Sequence, residues 1–161
     1  MAKKLIPITL YLNEIIYDIQ NKTYVIGRNK DSGDNPEQVA AIQASDEPES
    51  YNQLLRSIGN ALSMLRQNLG DYLDVSQQTS NDNQFEADSD IIIQLNLPMN
   101  FNEASIDAVT TAMHQYIVNT AIAGWFSLVN PDESEKYIQL ASNNYQMLSI
   151  AMMSRKRPVK P

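Results

Sequence analysis

Residues 117–140 read IVNTAIAGWFSLVNPDESEKYIQL, and the turn inside this stretch decides the fold. Asn130 can cap a helix, Pro131 suits a first helical position, and Glu133 stands where a capping box places its acid. One helix therefore ends and another begins within a very short link. Such a link favours an antiparallel helical hairpin. The two helices are expected over about 103–129 and 131–155.

Apolar residues on both sides of this turn recur at helical spacing. In the first helix, Asn102 is the expected cap behind the apolar Phe101. The inner stripe of that helix is Ile106, Val109, Met113, Ile117, Ala121, Gly124 and Leu128. The second helix is expected to turn Tyr137, Leu140, Ala141, Leu148, Ala151 and Met152 inward, and Pro158 stops it.

Residues 49–73 show the clearest periodicity in the chain. Apolar residues there alternate spacings of four and three, which is a heptad seam. This seam consists of Tyr51, Leu55, Ile58, Leu62, Leu65, Leu69 and Tyr72. Because packing within one subunit and packing between subunits use the same spacing, the seam predicts a buried helix but leaves both possibilities open.

The N-terminal region predicts a further helix over about 7–27. Ile8, Leu12 and Ile15 follow helical spacing, Pro7 suits the first turn, and Gly27 is a plausible stop. The next stretch, 28–49, contains glycine, prolines and many acids or amides, so it reads as a long irregular connection. A short helix over Glu37–Ala44 is the one regular element expected there. Loops of this length often serve binding.

The segment 90–97 alternates apolar and polar residues and therefore predicts a strand with one buried face. Ile91 and Ile93 lie on that face and are candidates for contact with another chain. A polar loop, about 74–90, precedes the strand. Its pairing partner is open, with 73–77 and 85–87 as the two choices considered. The whole chain, 1–161, is thus expected to be one mainly α domain, a bundle of about four helices with a long loop and a short β-strand or β-hairpin excursion.

Composition excludes several classes of protein. The 161 residues carry a net charge of -7, which disfavours a general nucleic-acid binder, so any DNA contact is expected to be local. The chain has no cysteine, which excludes disulfides and thiolate chemistry. No apolar run approaches the roughly 20 residues of a membrane span. The apolar N-terminus is interrupted by Asn13 and Glu14, so we expect neither membrane insertion nor secretion.

Residues able to support catalysis or bind a metal are sparse. His114 is the single histidine, and its neighbours on its own helix include no carboxylate. The acidic stretches 31–35 and 82–90 lack the ordered spacing of a calcium loop. No glycine-rich phosphate loop is present. Asp71 and Asp74 flank a helix end, where we expect their carboxylates to face solvent and not to take part in catalysis. We therefore expect no enzymatic activity, no cofactor and no metal site.

Two groups of residues are candidates for protein contacts. Tyr116, Trp125 and Phe126 form an aromatic cluster in the first helix of the hairpin, and such residues often anchor interfaces. The tail residues Arg155, Lys156 and Arg157 precede Pro158 and can lie along an acidic groove of a neighbouring subunit. In an otherwise acidic chain, this tail also offers head-to-tail complementarity within a ring.

The order of elements resembles small virion proteins of tailed phages and prophages, especially head–tail connector (neck) proteins. The resemblance covers most of the chain. The segments that carry it are Leu97-Pro98-Met99-Asn100-Phe101-Asn102, Tyr116-Ile117-Val118-Asn119 through Trp125-Phe126, and Arg155-Lys156-Arg157-Pro158.

The resemblance implies a virion protein, made in the host cytoplasm, that assembles as a ring between portal and tail. Its partners would be copies of itself and other virion proteins such as portal or tail components. The segments 28–49 and 74–97 would be arms that become ordered on assembly. The alternative is a cytosolic helical adaptor or regulator that binds one partner protein through the 49–73 seam. A Leu62→Asp change should then abolish a defined dimer or heterodimer.

Overall fold

The computed structural model describes residues 2–29, 33, 36–44, 47–74 and 90–159. These ranges contain two β-strands and five α-helices, which confirms the prediction of a mainly α fold with four long helices and a short β excursion. In chain order the elements are β1 (Lys3–Tyr11), α1 (Leu12–Asn29), α2 (Pro36–Ile42), α3 (Pro48–Leu69), β2 (Asp90–Pro98), α4 (Ile106–Val129) and α5 (Pro131–Met152).

The prediction of a helix beginning at residue 7 is wrong. Residues 3–11 form β1, and α1 begins only at Leu12. Ile6, Ile8 and Leu10 are buried while their neighbours are more exposed, which is the two-residue period of a strand. Ile8 also fits a helical stripe with Leu12, so the local pattern suits both structures. Pairing with a distant strand decides between them.

β1 pairs antiparallel with β2, in a register that places Lys3 opposite Pro98 and Tyr11 opposite Asp90. The partner of the predicted strand therefore comes from the start of the chain. Of the two segments considered, 73–77 contributes Leu73, which forms an isolated bridge with Leu95, and Asp74, whose backbone N donates to Gln94 O at 3.2 Å. Residues 75–77 and 85–87 lie outside the described residues. The prediction of one buried face on the strand is confirmed.

α4 is the centre of the bundle and packs against α5, α3, α1 and β1. Ile117, Val118, Ala121 and Ile122 are all buried, so α4 has no polar face along these turns. A helix that is apolar all round belongs in a core rather than on a surface. The α4–α5 hairpin is antiparallel, as the short link at Asn130 indicates. None of the described helices has the length and apolarity needed to cross a membrane.

The heptad seam of α3 closes within the subunit. Its central residues Ile58, Leu62 and Leu65 are buried in the core of the single chain. α3 runs antiparallel to α4, because Asn68 Nδ2 donates to Tyr116 Oη at 3.2 Å while Ser57 faces Gly124 two to three turns away. A Cβ on Gly124 would lie 3.5 Å from Ser57 Oγ, so glycine lets the two helices approach closely.

The helix ends agree only partly with the expected caps. The Asn102 side chain accepts a hydrogen bond from Ala104 N at 3.1 Å, as expected, but a 3-10 turn over 103–105 precedes α4. Asn130 makes no side-chain cap hydrogen bond, so its half of the expected capping box is absent, although Pro131 does open α5. α5 ends at Met152, earlier than predicted. Leu128, expected inside, is exposed.

The two segments expected to be arms are largely part of the folded body where the structure describes them. The short helix expected over Glu37–Ala44 is present as α2, and Ala44 N donates to Thr23 Oγ1 at 3.1 Å. Residues 90–97 belong to the two-stranded sheet. Residues 30–32, 34–35, 45–46 and 75–89 lie outside the described residues. The two acidic stretches considered as calcium loops, 31–35 and 82–90, therefore fall outside them too, apart from Gly33 and Asp90.

Candidate interaction surfaces

The three aromatic residues expected at a partner-facing patch lie in the core instead. Tyr116, Trp125 and Phe126 are all buried. Trp125 Nε1 donates to the backbone oxygen of Ile42 at 2.7 Å, and the Phe126 ring meets the Tyr137 ring edge to face with centroids 5.5 Å apart. They are therefore not available as surface anchors. Helical spacing could not distinguish core from interface here, because α4 packs against several elements at once, namely α1, α3 and α5.

The remaining expected contact residues divide into two groups. Ile91 and Ile93 are buried on the inward face of the sheet, so they stabilise the fold and do not offer a surface to another chain. Arg155, Lys156 and Arg157 are exposed. Of the residues expected to make contacts, only the cationic ones are placed where a partner could reach their side chains.

Two segments that are distant in sequence bring cations to one corner of the molecule, and residues 98–101 pair with both of them. Lys3 begins β1 opposite Pro98. Just beyond β2, the backbone pairs with the tail, because Lys156 N donates to Asn100 O at 2.8 Å and Phe101 forms an isolated bridge with Arg155. We call the resulting cluster the basic corner; it consists of Lys3, Lys4, Arg155, Lys156 and Arg157.

One carboxylate lies at the basic corner. Lys4 Nζ donates to Glu103 Oε1 at 2.8 Å and to Phe101 O at 3.2 Å. The hydrogen bond from Lys4 and the charges of Lys4 and Lys156 lower the pKa of Glu103. Glu103 therefore stays ionised and offsets one of the five cations. The corner keeps an excess of positive charge.

Acidic residues gather at the opposite end of the α4–α5 hairpin. Glu133 lies in the first turn of α5, and Glu49 lies in the first turn of α3. Since α3 is antiparallel to α4, it runs parallel to α5, and both helices start at the same end. Such acids favour the positive end of a helix dipole. We call this surface the acidic end; it consists of Glu47, Glu49, Asp132, Glu133 and Glu135.

The last turns of α5 carry large apolar side chains on the outside. Met147, Ile150 and Met153 are spaced three residues apart, so they lie near one another on one face. All three are exposed, Ile150 by 71%. Earlier on the same outer face, α5 is polar, with Gln139 exposed. We call the three side chains the outer α5 patch.

A polar contact between α1 and α4 was not foreseen from the sequence. His114 Nε2 lies 2.5 Å from Asp18 Oδ2, and one turn further along α1, Lys22 Nζ donates to Gln115 Oε1 at 3.2 Å. Burial lowers the pKa of Lys22, and the nearby charge of Asp18 opposes that effect. Only the packing of two helices brings these residues together, so no spacing within either helix could reveal them.

A cleft of about 380 Å³ lies between α1, α4 and α5. Its walls include Val25 and Leu140, while Lys22 and Asn119 supply polar groups. Asn119 Nδ2 donates to Asn144 Oδ1 at 2.6 Å, and Asn119 Oδ1 has no hydrogen-bond partner among the described residues. The cleft thus combines apolar walls with one cation, two amides (Asn21 is the second) and the Tyr137 ring.

Within the described ranges, no group of three or more His, Asp or Glu residues is placed to hold a metal ion. Comparison of the chain with protein-family models, with curated proteins and with solved structures found no match. The basic corner, the acidic end and the outer α5 patch are the surfaces on which a functional proposal can rest.

Proposed function

We propose that this chain is a structural subunit of a tailed-phage or prophage particle, a head–tail connector or neck subunit. It acts by assembling with copies of itself and with neighbouring virion proteins such as portal or tail components. It is made in the host cytoplasm and ends in the virion. No catalytic step or cofactor forms part of this proposal.

The outer α5 patch is the observation that carries the proposal. Single exposed apolar residues are common on monomers and need no explanation, but neighbouring ones on one face mark a contact surface. Met147, Ile150 and Met153 contribute little to the core, because their side chains are mostly exposed. A protein that assembles gains from burying them against a partner.

The distribution of charge also supports assembly through protein contacts. The last seven residues carry four of the chain's 12 basic residues and none of its 19 acidic ones, so the rest of the chain is strongly acidic. A strongly acidic body repels DNA, which leaves at most a local contact at the basic corner. The same body attracts the cations of a neighbouring protein.

The alternative is an adaptor that binds one partner through the α3 seam, and the structure leaves little of that seam accessible to a partner. Ile58, Leu62 and Leu65 are enclosed by the subunit's own core, so the seam is already occupied. An adaptor could still use the outer α5 patch, and it would then form a defined pair with one partner rather than enter a particle.

Incorporation into particles tests the proposal directly. Mass spectrometry of particles purified from the producing cells should detect the protein, and portal, capsid and tail genes should flank its gene. An Ile150→Glu variant should fold but lose incorporation, because a charge on the patch must be desolvated at the contact. Gln139→Glu adds the same charge to the same outer face and should be incorporated normally. Particles without the wild-type protein would reject the proposal.

A further inference from the structure

The basic corner and the acidic end lie at opposite ends of α5. This helix has 22 residues, so its ends are about 33 Å apart. Asp132 lies in its first turn, and Arg155 follows shortly after its last residue. That separation is several times the Debye length of about 8 Å at physiological salt. The two surfaces therefore cannot neutralise each other within one copy.

Helix dipoles explain only part of the basic corner. Arg155 donates to Met152 O at 2.7 Å and to Ser154 O at 3.0 Å, which is the usual role of a cation at a helix C-terminus. Lys3 and Lys4 belong to β1, where no helix dipole favours them. Their convergence with the tail makes a surface that is positive beyond what α5 requires.

Exposed apolar side chains accompany the charge at both ends. Met99 and Met153 are exposed near the basic corner. Leu128, in the last turn of α4, and Ile138, in the second turn of α5, are exposed near the acidic end. Each end thus offers what an interface needs, an apolar area beside a net charge of one sign, because Glu103 at the basic corner and Lys136 at the acidic end are each outnumbered.

We propose that copies of this chain associate head to tail, with the basic corner of one copy against the acidic end of the next. This inference rests on the proposed structural function and names the contact through which copies meet. Like ends repel, so twofold pairing of either surface is disfavoured. A contact between two different surfaces repeats from copy to copy, and it closes into a ring when the rotation permits.

A second copy suits the basic corner better than DNA does. Binding along a duplex requires cations at several successive phosphates, whereas this chain offers five at one corner, one of them paired with Glu103. The remaining body is acidic and would repel the rest of the duplex. An acidic surface of the same chain meets the corner without that penalty.

Charge reversal at each end separately tests the contact. The variant Lys3→Glu/Lys156→Glu/Arg157→Glu leaves two cations against four acids at the basic corner, counting Glu103, so the corner becomes acidic. The variant Glu47→Lys/Glu49→Lys/Glu135→Lys leaves two acids against three new cations at the acidic end, so that end becomes basic. All six substituted side chains are exposed, so both variants should fold, which circular dichroism can check. In sedimentation at low salt, each variant alone should self-associate about tenfold or more weakly than the wild type, because like charges then face each other.

Mixing the two variants gives the decisive result. In an equimolar mixture every contact joins opposite charges again, half of them native and half swapped, so association should return. Arg28→Glu/Arg56→Glu/Arg66→Glu and Glu14→Lys/Glu37→Lys/Asp71→Lys change the charge by the same amounts outside both surfaces, at sites that are exposed or, for Arg66, partly exposed. These controls should associate like the wild type, with added salt weakening association in all of them.

Three results would overturn the inference. They are a wild type that stays monomeric at high concentration and low salt, a reversed variant that associates like the wild type, and a mixture that does not recover. Salt-sensitive binding of duplex DNA that Lys3→Glu/Lys156→Glu/Arg157→Glu abolishes, without self-association, would assign the corner to DNA instead. Incorporation into particles is measured separately: a protein that is incorporated but does not self-associate would reject the head-to-tail contact and keep the structural role, whereas a protein absent from particles would reject the structural role.

Discussion

Asp18 and His114 are 96 residues apart in the chain, yet Asp18 Oδ2 and His114 Nε2 lie 2.5 Å apart across the α1–α4 contact. Both side chains are partly exposed, so water screens the interaction. The pair therefore orients α1 on the central helix more than it stabilises the whole fold.

A double-mutant cycle measures this contact. Asp18→Ala and His114→Ala should each destabilise the protein in urea unfolding near neutral pH, and the coupling between them should be about 0.5–1 kcal/mol. Asp18→Asn keeps the size of the side chain and should retain part of the coupling through a neutral hydrogen bond. Strictly additive single changes would contradict the contact.

The burial of α4's aromatic residues gives a second prediction. Phe126→Ala should destabilise the protein by about 3–5 kcal/mol, because Phe126 is 0% exposed and packs against Tyr137. Leu128→Ala, two residues away but 64% exposed, should cost less than about 0.5 kcal/mol. Chemical denaturation of both variants checks the difference. Equal costs would mean that Phe126 is a surface residue after all.

Much of this architecture follows from short-range patterns. The turn at Asn130 and Pro131 predicts the α4–α5 hairpin, and the seam through Ile58 and Leu62 predicts α3, because each signal lies within a few residues. β1 could not be predicted in this way, because its pairing partners lie 79 to 95 residues further along the chain and Ile8 satisfies a helical period as well as a strand period.

The surfaces were harder to predict than the helices. Trp125 and Phe126 have the chemistry of interface anchors, but only the packing of α1, α3 and α5 around α4 shows that they are enclosed. Lys3 joins Arg155 only because β1 pairs with β2. Long-range pairing therefore decides which residues reach a partner, and local sequence periodicity carries no information about it.

The enclosed α3 seam predicts that Leu62→Asp unfolds the protein rather than dissociating a dimer. Leu62 is buried, so an aspartate there loses hydration without gaining a partner, at a cost of about 3–5 kcal/mol. Met64→Asp introduces the same charge at an exposed position of α3 and should leave stability nearly unchanged. Circular dichroism at several concentrations checks both. A folded Leu62→Asp monomer would restore the intermolecular reading of the seam.

Lys22 gives a prediction about pH. Burial lowers its pKa below the ordinary value of 10.5, so from the lowered pKa up to about 10.5 the unfolded state binds more protons than the folded state. Stability attributable to Lys22 therefore rises with pH across that window. Lys22→Met removes the buried charge and should be more stable than the wild type at neutral pH, with the advantage shrinking as pH rises.

Urea unfolding of both proteins between neutral pH and about pH 10 checks this trend, since the effects of other titrating groups cancel in the difference. Burial also raises the pKa of Tyr116 and Tyr137, so both contribute in the wild type and the variant alike. Lys136→Met, at an exposed position of α5, should show no such trend. A stability difference independent of pH would contradict a desolvated Lys22.

Adjacent residues of β2 test the register of the sheet. Ile93 is 2% exposed and lies opposite Ile8, whereas Ile92 is 53% exposed and lies opposite Thr9. Ile93→Lys places a charge in the core and should cost about 3 kcal/mol or more, while Ile92→Lys, on the solvent face, should cost less than about 1 kcal/mol. A slip of one residue exchanges the two faces of a strand, so a slipped register would reverse the order of these two costs. Thermal or urea unfolding of the two variants therefore tests the register directly, and the variant at Ile92, the adjacent residue of the same strand, serves as the control.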